Sequence, residues 1–254
     1  MMTRAIAVLL ALTIQAVSAG AQTLTADLSS HVIGITTGFV GATLVLFGTT
    51  ADLPGAPPGA PPDDIIVVIR GTQSDILVRR KERIAGVWIN GSSALFHDAP
   101  GFYAVAATRP PAQITNPATL GRHAIGIDTL RLPVAGKMTE ADLAVFRAAL
   151  IDSREKAGLY RQKVTPVVFQ GEYLFRADVS FPANMPTGSY SVETFLFSSG
   201  QLISAQTTPL VVSRVGFSNG VFVLAHRHAA LYGAGALAFA AAAGWAAGAA
   251  FRRV

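Results

Sequence analysis

The chain has no cysteine, which excludes a disulfide framework, thiolate chemistry and a lipid-modified cysteine behind a leader. Charge is sparse as well: 14% of residues are charged against 51% hydrophobic. That balance is foreign to a soluble enzyme unless the apolar excess is concentrated in particular segments. The formal net charge is +5, and Arg4, Arg252 and Arg253 fall in the two terminal segments. The body between them is too weakly basic to argue for nucleic acid. The common enzyme signatures are also missing, with no G-x-S-x-G elbow, P-loop, dinucleotide fingerprint or H-E-x-x-H helix.

Two apolar segments are present. MMTR, AIAVLLALTIQAV and SAGAQT read in order as a short positive region, an apolar stretch and small residues before a cleavage point, the pattern of a secretory signal over residues 1–21. Cleavage after Ala21 leaves Gln22 first, and cleavage after Ala19 fits nearly as well. From Ala229 to Phe251 no residue is charged. At about 1.5 Å per residue this segment is long enough to cross the roughly 30 Å hydrocarbon layer as a helix. Tyr232 and Trp245 suit the two interfaces, and Arg252 and Arg253 in the tail, 252–254, suit a cytosolic stop. The expected topology is a single pass in the inner membrane, with the body in the periplasm and the C-terminus in the cytoplasm. Gly244 and Gly248 form a small-x-x-x-small pair that would let two copies pack as a homo-oligomer.

The body breaks into short runs of alternating or β-branched residues, among them HVIGIT, ATLVLF, DIIVVIR, DILVRR, GVWIN, FYAVAA, VTPVVF, EYLFRADVSF, SYSVETFLF, QLISAQ and PLVVSR. These read as strands. Asn90-Gly91 predicts a two-residue hairpin turn. Pro100 to Val105 and Pro186 to Val192 both read as turn, tyrosine, strand, as at the tyrosine corner of an immunoglobulin-like sandwich. The expected fold is therefore mainly β: two immunoglobulin-like β-sandwich domains with one intervening helix, plus a single C-terminal transmembrane helix. The first sandwich would take 22–120, with the Pro/Gly-rich stretch 51–64 as a projecting loop. A linker, 121–162, would carry a helix over 139–160, opened by Thr139 and Asp142 and stopped at Gly158. The second sandwich would take 163–216.

Several phrases together resemble a known family: SSHVIGITTGFVGATLVLFG, VVIRG, RRKERIAGVWIN, PGFYAVAA, AGLYRQ, LFRADVSFPANMPTGSYSV and the closing LYGAGALAFAAAAGWAAGAAFRR. The chain is similar to the alphaproteobacterial transmembrane-protein family over nearly all of its length behind the signal. That family has no assigned activity, so the resemblance carries over no catalytic residue. It implies an accessory role at the inner membrane, beside an exporter of anions of the sulfite or organosulfonate type.

Candidate chemistry is thin. Of five histidines, only His226 and His228 are close in sequence, and on an extended segment both rings would share a face, as a metal site needs. Arg79, Arg80, Lys81 and Arg83 form the densest basic run, near Trp88, and suit an anion or anionic lipid headgroups; a solvated strand edge is the plainer reading. His97 with Asp98, and Asp152 with Glu155, read as turn chemistry and surface charge. No catalytic residue and no cofactor is expected. The functional expectation is a membrane-anchored periplasmic binding or accessory module for an inner-membrane transporter. The alternative is an envelope enzyme or metal-binding protein using the juxtamembrane His226 and His228.

Overall fold

The computed structural model describes residues 24–50, 63–84, 86–215, 226 and 229–251. The expected signal at 1–21, most of the expected loop at 51–64 and the tail at 252–254 lie outside them. Among the described residues eleven strands follow in chain order: β1 (Leu24–Leu28), β2 (Val32–Ile35), β3 (Ala42–Thr50), β4 (Asp64–Arg70), β5 (Gln73–Ile84), β6 (Val87–Pro100), β7 (Tyr103–Ala107), β8 (Thr165–Gln170), β9 (Leu174–Phe181), β10 (Gly188–Ser198) and β11 (Gln201–Arg214). Strict alternation builds β1 and β9, where buried and exposed side chains take turns along the strand, as a sheet with one wet face requires.

Nine strands form one sheet in the order β1-β3-β9-β8-β7-β4-β10-β11-β2, and β5 and β6 form a separate ribbon. The expected division into a sandwich at 22–120 and another at 163–216 is not how the strands pair. β3 pairs with β9, β4 with β10, and β7 with β8, so both halves of the chain interleave in one sheet. The physical reason is burial: neither half has enough strands to cover its own apolar faces, and together they enclose one core.

The sheet is curled. Phe181 in β9 and Tyr190 in β10 stand four places apart in the strand order, about 19 Å in a flat sheet, yet their ring centroids are 6.3 Å apart. Phe102 fills the space between, 5.0 Å from Phe181 and 6.1 Å from Tyr190. The curl brings the free edge of β1 back to β11, where Gln206 accepts from the Ala26 N–H at 2.9 Å and donates to its carbonyl at 2.7 Å. QLISAQ and PLVVSR, two runs in the sequence, are one strand with Pro209 inside it. Val211, of the same parity, donates its N–H to His31 O on the β2 side, and β2 pairs only with residues 211–214. Pro209 thus lacks its N–H where β2 offers no ladder partner.

β4 and β7 are buried along almost their whole length because a helical layer covers their outer face. It comprises α1 (Pro111–Ile114), α2 (Pro117–His123) and a 3₁₀ turn at Ile127–Thr129, while the longer α3 (Glu140–Lys156) packs on β5 and β6. α2 starts on the Asn116 side chain, which accepts from Thr119 N, with Pro117 at its first position. α3 starts on Thr139, whose hydroxyl accepts from Asp142 N at 3.2 Å. It closes at Gly158 (φ +71°), whose N–H donates to Glu155 O.

The ribbon continues the sheet. Past the Arg70–Tyr103 pair, Gly71 N donates to Phe102 O and Gly101 N to Thr72 O, both at 2.8 Å, leading into Gln73 opposite Pro100. β4 is antiparallel to β10, and β10 to β11, so β4 and β11 point the same way. The ribbon therefore leaves the end of the sheet from which the chain departs after Arg214.

Candidate functional site

Along the ribbon, Ile76 faces Phe96 and Val78 faces Ala94. Phe96 and Ala94 are buried in the core to which Phe146 and Leu150 of α3 also belong. Leu77 and Arg79 alternate outward. A register shift between Arg79 and Lys81 marks a bulge, which re-aims the side chains beyond it.

The expected turn at Asn90-Gly91 is displaced. Asn90 lies within β6 opposite Lys81, and the chain reverses around Gly86, whose φ is +85°. Gly91 serves closeness instead: a Cβ there would lie 2.2 Å from the carboxyl carbon of Glu82. Glu82 accepts from the Ser92 hydroxyl at 3.0 Å and the Ser92 N–H at 3.4 Å. Those bonds, with the Arg80 guanidinium, hold its carboxyl below the usual carboxylate range.

The four basic residues of the run do different things. Arg80 turns toward α3, with its guanidinium 5.8 Å over the Phe146 ring, 3.9 Å from Asp142 and 3.3 Å from Glu82. It is a packing cation. Arg83 Nε donates to Gly86 O at 3.4 Å, beside the turn. Arg79 and Lys81 are exposed. Directly opposite Arg83 stands Trp88, 65% exposed, between Val87 at 63% and Ile89 at 42%. The sequence places this tryptophan near the basic run; only the register puts it opposite Arg83 at a bare tip.

Arg70, next in sequence to the ribbon, belongs to a different network. It pairs with Glu193 at 2.5 Å and donates to His123 O at 2.6 Å and Ala124 O at 3.3 Å. Tyr103 donates to the same Ala124 O at 2.8 Å and accepts from Gly126 N at 2.8 Å. The tyrosine corner expected at Tyr103 is thus replaced by a clamp on the end of α2, because that strand faces helices. At Tyr190 the corner forms, the hydroxyl donating to Pro186 O at 2.7 Å.

His97 pairs across the ribbon with Asp75 at 3.0 Å and not with Asp98. Asp152 pairs with Lys156 at 2.7 Å. A cavity of about 570 Å³ is lined by Glu155, Tyr160, Arg161, Lys163 and Pro182 among others, with the Tyr160 hydroxyl committed to Pro100 O. Among the described residues no three or more His, Asp or Glu side chains converge as a metal site would need. His226 has helical backbone, not the extended backbone that would put both rings of the pair on one face, and His228 lies outside the described residues.

The final helix, α4 (Ala229–Phe251), carries 23 residues with no acidic or basic side chain in its first or last turn. Leu237, Phe239 and Trp245 are each about three-quarters exposed, so these side chains of the helix are not packed on the body. Among the described residues no helix is long and apolar enough to cross a membrane.

A curled β body, an exposed apolar helix and a basic, aromatic ribbon make up a mainly β protein. The chain belongs to the family described as "Putative transmembrane protein (Alph_Pro_TM)", whose family model matches residues 23–253. No curated protein shows a significant match to the chain.

Proposed function

We propose that the chain is a single-pass inner-membrane protein whose body is an immunoglobulin-like sandwich held in the periplasm, with its C-terminus in the cytoplasm and its leader, 1–21, removed. Its role is that of a binding or accessory module for another inner-membrane protein, such as an anion or sulfite-type exporter. The observation that carries this reading is α4: a 23-residue helix of alanine, glycine, leucine and aromatics in which Leu237, Phe239 and Trp245 stand largely bare of protein. In water such a helix leaves its apolar surface unburied; lipid is the solvent that removes the cost.

Several features support the sandwich. Two strand groups, β1-β3-β9-β8 and β7-β4-β10-β11-β2, join through a short parallel contact. The edge strand β2 runs parallel to the last strand, and the corner tyrosine sits near the start of the next-to-last strand, as immunoglobulin-like domains have it. Gly244 and Gly248, one turn apart on α4, suit close packing with a second copy.

Two measurements test the reading. Alkaline phosphatase fused after Val254 is expected to be inactive and a fluorescent protein there to be bright; the reverse pattern overturns the orientation. Purification of the full chain from solubilised inner membrane is expected to bring down one transporter in stoichiometric amount. Recovery of the chain alone after in-cell cross-linking overturns the accessory role.

A further inference from the structure

We infer that the outer end of the β5–β6 ribbon, residues 79–84 and 86–93, docks on an anionic lipid surface, with Trp88, Val87 and Ile89 at the headgroup level and Arg79, Lys81 and Arg83 against lipid phosphates. This rests on the reading of α4 as a membrane anchor. Val87, Trp88 and Ile89 are consecutive, large and exposed, and the register places Val87 and Ile89 on the ribbon face opposite to Trp88. The tip therefore carries a large apolar side chain on each face, which suits insertion into a fluid layer better than docking on one flat surface.

Charge selects the kind of layer. The one acid in the tip, Glu82, is occupied by Ser92 and Arg80, while Lys81 and Arg83 share the face of Trp88. Tryptophan flanked by exposed lysine and arginine matches the interface of an anionic bilayer, where the ring sits at headgroup depth and the cations meet phosphate. An acidic protein or a nucleic acid would answer the cations but leave Val87 and Ile89 in water.

Direction and reach agree. Arg70, Ser191 and Pro209 lie in one row across β4, β10 and β11. From that row β11 runs only to Arg214, whereas the ribbon runs on to Ile84. For a straight ribbon at about 3.3 Å per residue, the tip lies up to about 30 Å beyond the end of β11. The residues between Arg214 and Ala229, numbers 215–228, can span at most about 50 Å. The ribbon tip and the start of α4 can therefore meet the same membrane surface, giving the body a second contact that fixes its orientation.

The chain's two tryptophans, Trp88 and Trp245, report the two contacts separately. Full-length W245F and W88F would be reconstituted into vesicles of phosphatidylcholine alone or with phosphatidylglycerol, and the remaining tryptophan quenched with acrylamide. Trp88 is expected to shift its emission to shorter wavelength and lose quenching severalfold in the phosphatidylglycerol vesicles. It should stay open in phosphatidylcholine, and Arg79→Gln, Lys81→Gln and Arg83→Gln together should reopen it. Trp245 is expected to be shielded in both. Trp88 equally open in detergent and in both vesicles, with Trp245 shielded, overturns the docking inference and leaves the anchor standing. Trp88 equally shielded in both vesicles, with and without the three substitutions, also overturns it and assigns the tip to a contact between copies of the chain. Trp245 open in both vesicles overturns anchor and docking together.

Discussion

Gln206 completes the backbone of Ala26: its side-chain oxygen takes the Ala26 N–H at 2.9 Å and its amide nitrogen supplies the Ala26 carbonyl at 2.7 Å. One side chain on β11 thus does for β1 what a neighbouring strand would do, and it closes the curl of the sheet. Gln206→Leu leaves both groups of Ala26 without that partner at a site where Ala26 is almost fully buried. An orphaned buried donor or acceptor costs about 1–3 kcal/mol, so the expected loss is about 2–3 kcal/mol. The urea midpoint should fall, and the Ala26 amide should exchange with deuterium far faster than its neighbours in β3. Unchanged protection at Ala26 would show that the seam is held by other contacts.

The ion pair of Arg70 and Glu193 at 2.5 Å anchors the helical layer to the sheet, because the same guanidinium holds the carbonyls of His123 and Ala124. Ala124 has φ +49°, a conformation that Arg70 and Tyr103 together keep in place. Arg70→Met should cost about 2–4 kcal/mol, less than a fully buried pair because both side chains keep some access to water. The loss should localise to residues 117–130, read by hydrogen exchange. A double-mutant cycle with Glu193→Gln should show coupling between the two sites; additive losses would count against the pairing.

Three buried tyrosines set an alkaline limit. Burial pushes the phenols of Tyr103, Tyr160 and Tyr190 up to about 12 from an ordinary 10.0, and each hydroxyl donates to a backbone carbonyl. The folded protein holds these protons more tightly than the unfolded chain does. Their contribution to stability is intact below pH 10 and is lost as pH rises from 10 to 12. Unfolding followed by circular dichroism in detergent should therefore begin in that window, with tyrosinate absorbance rising together with it. Substituting all three with Phe should leave stability nearly independent of pH there, though lower at neutral pH by the lost hydrogen bonds.

At the ribbon tip the opposite outcome is expected. Trp88→Ala removes a side chain that touches little protein, so folding stability should change by no more than about 0.5 kcal/mol. Gly91→Ala, three residues further along β6, should be worse, because its methyl meets the Glu82 carboxylate and Glu82 must give up Ser92. Equal effects of the two substitutions on the urea midpoint would contradict this account of the ribbon.

How far the sequence disclosed this architecture depends on range. Strands such as Leu174–Phe181 were legible because alternation is a local consequence of a half-wet sheet, and α3 was legible from Thr139, Asp142 and Gly158. Pairing was not, because which strands meet is decided by burial across more than a hundred residues, as β3 with β9 shows. The run DIIVVIR carried a sign of the helical layer, being apolar on both faces, but a continuous apolar strand does not say what covers it. Asn90-Gly91 misled for a physical reason: its turn preference is outweighed by a register that seats Gly91 against Glu82 and leaves the reversal to Gly86. The basic run was visible as charge. That Arg80 packs on Phe146 while Trp88 stands bare opposite Arg83 follows from a bulge that composition does not reveal.

The central claim is that α4 holds the chain in lipid, and the most direct measurement is alkaline carbonate extraction of membranes carrying the full chain. The account predicts that the mature polypeptide stays with the membrane pellet, and that deleting 229–254 releases the body to the supernatant. Release of the intact chain by carbonate, or retention of the body after the deletion, would contradict it.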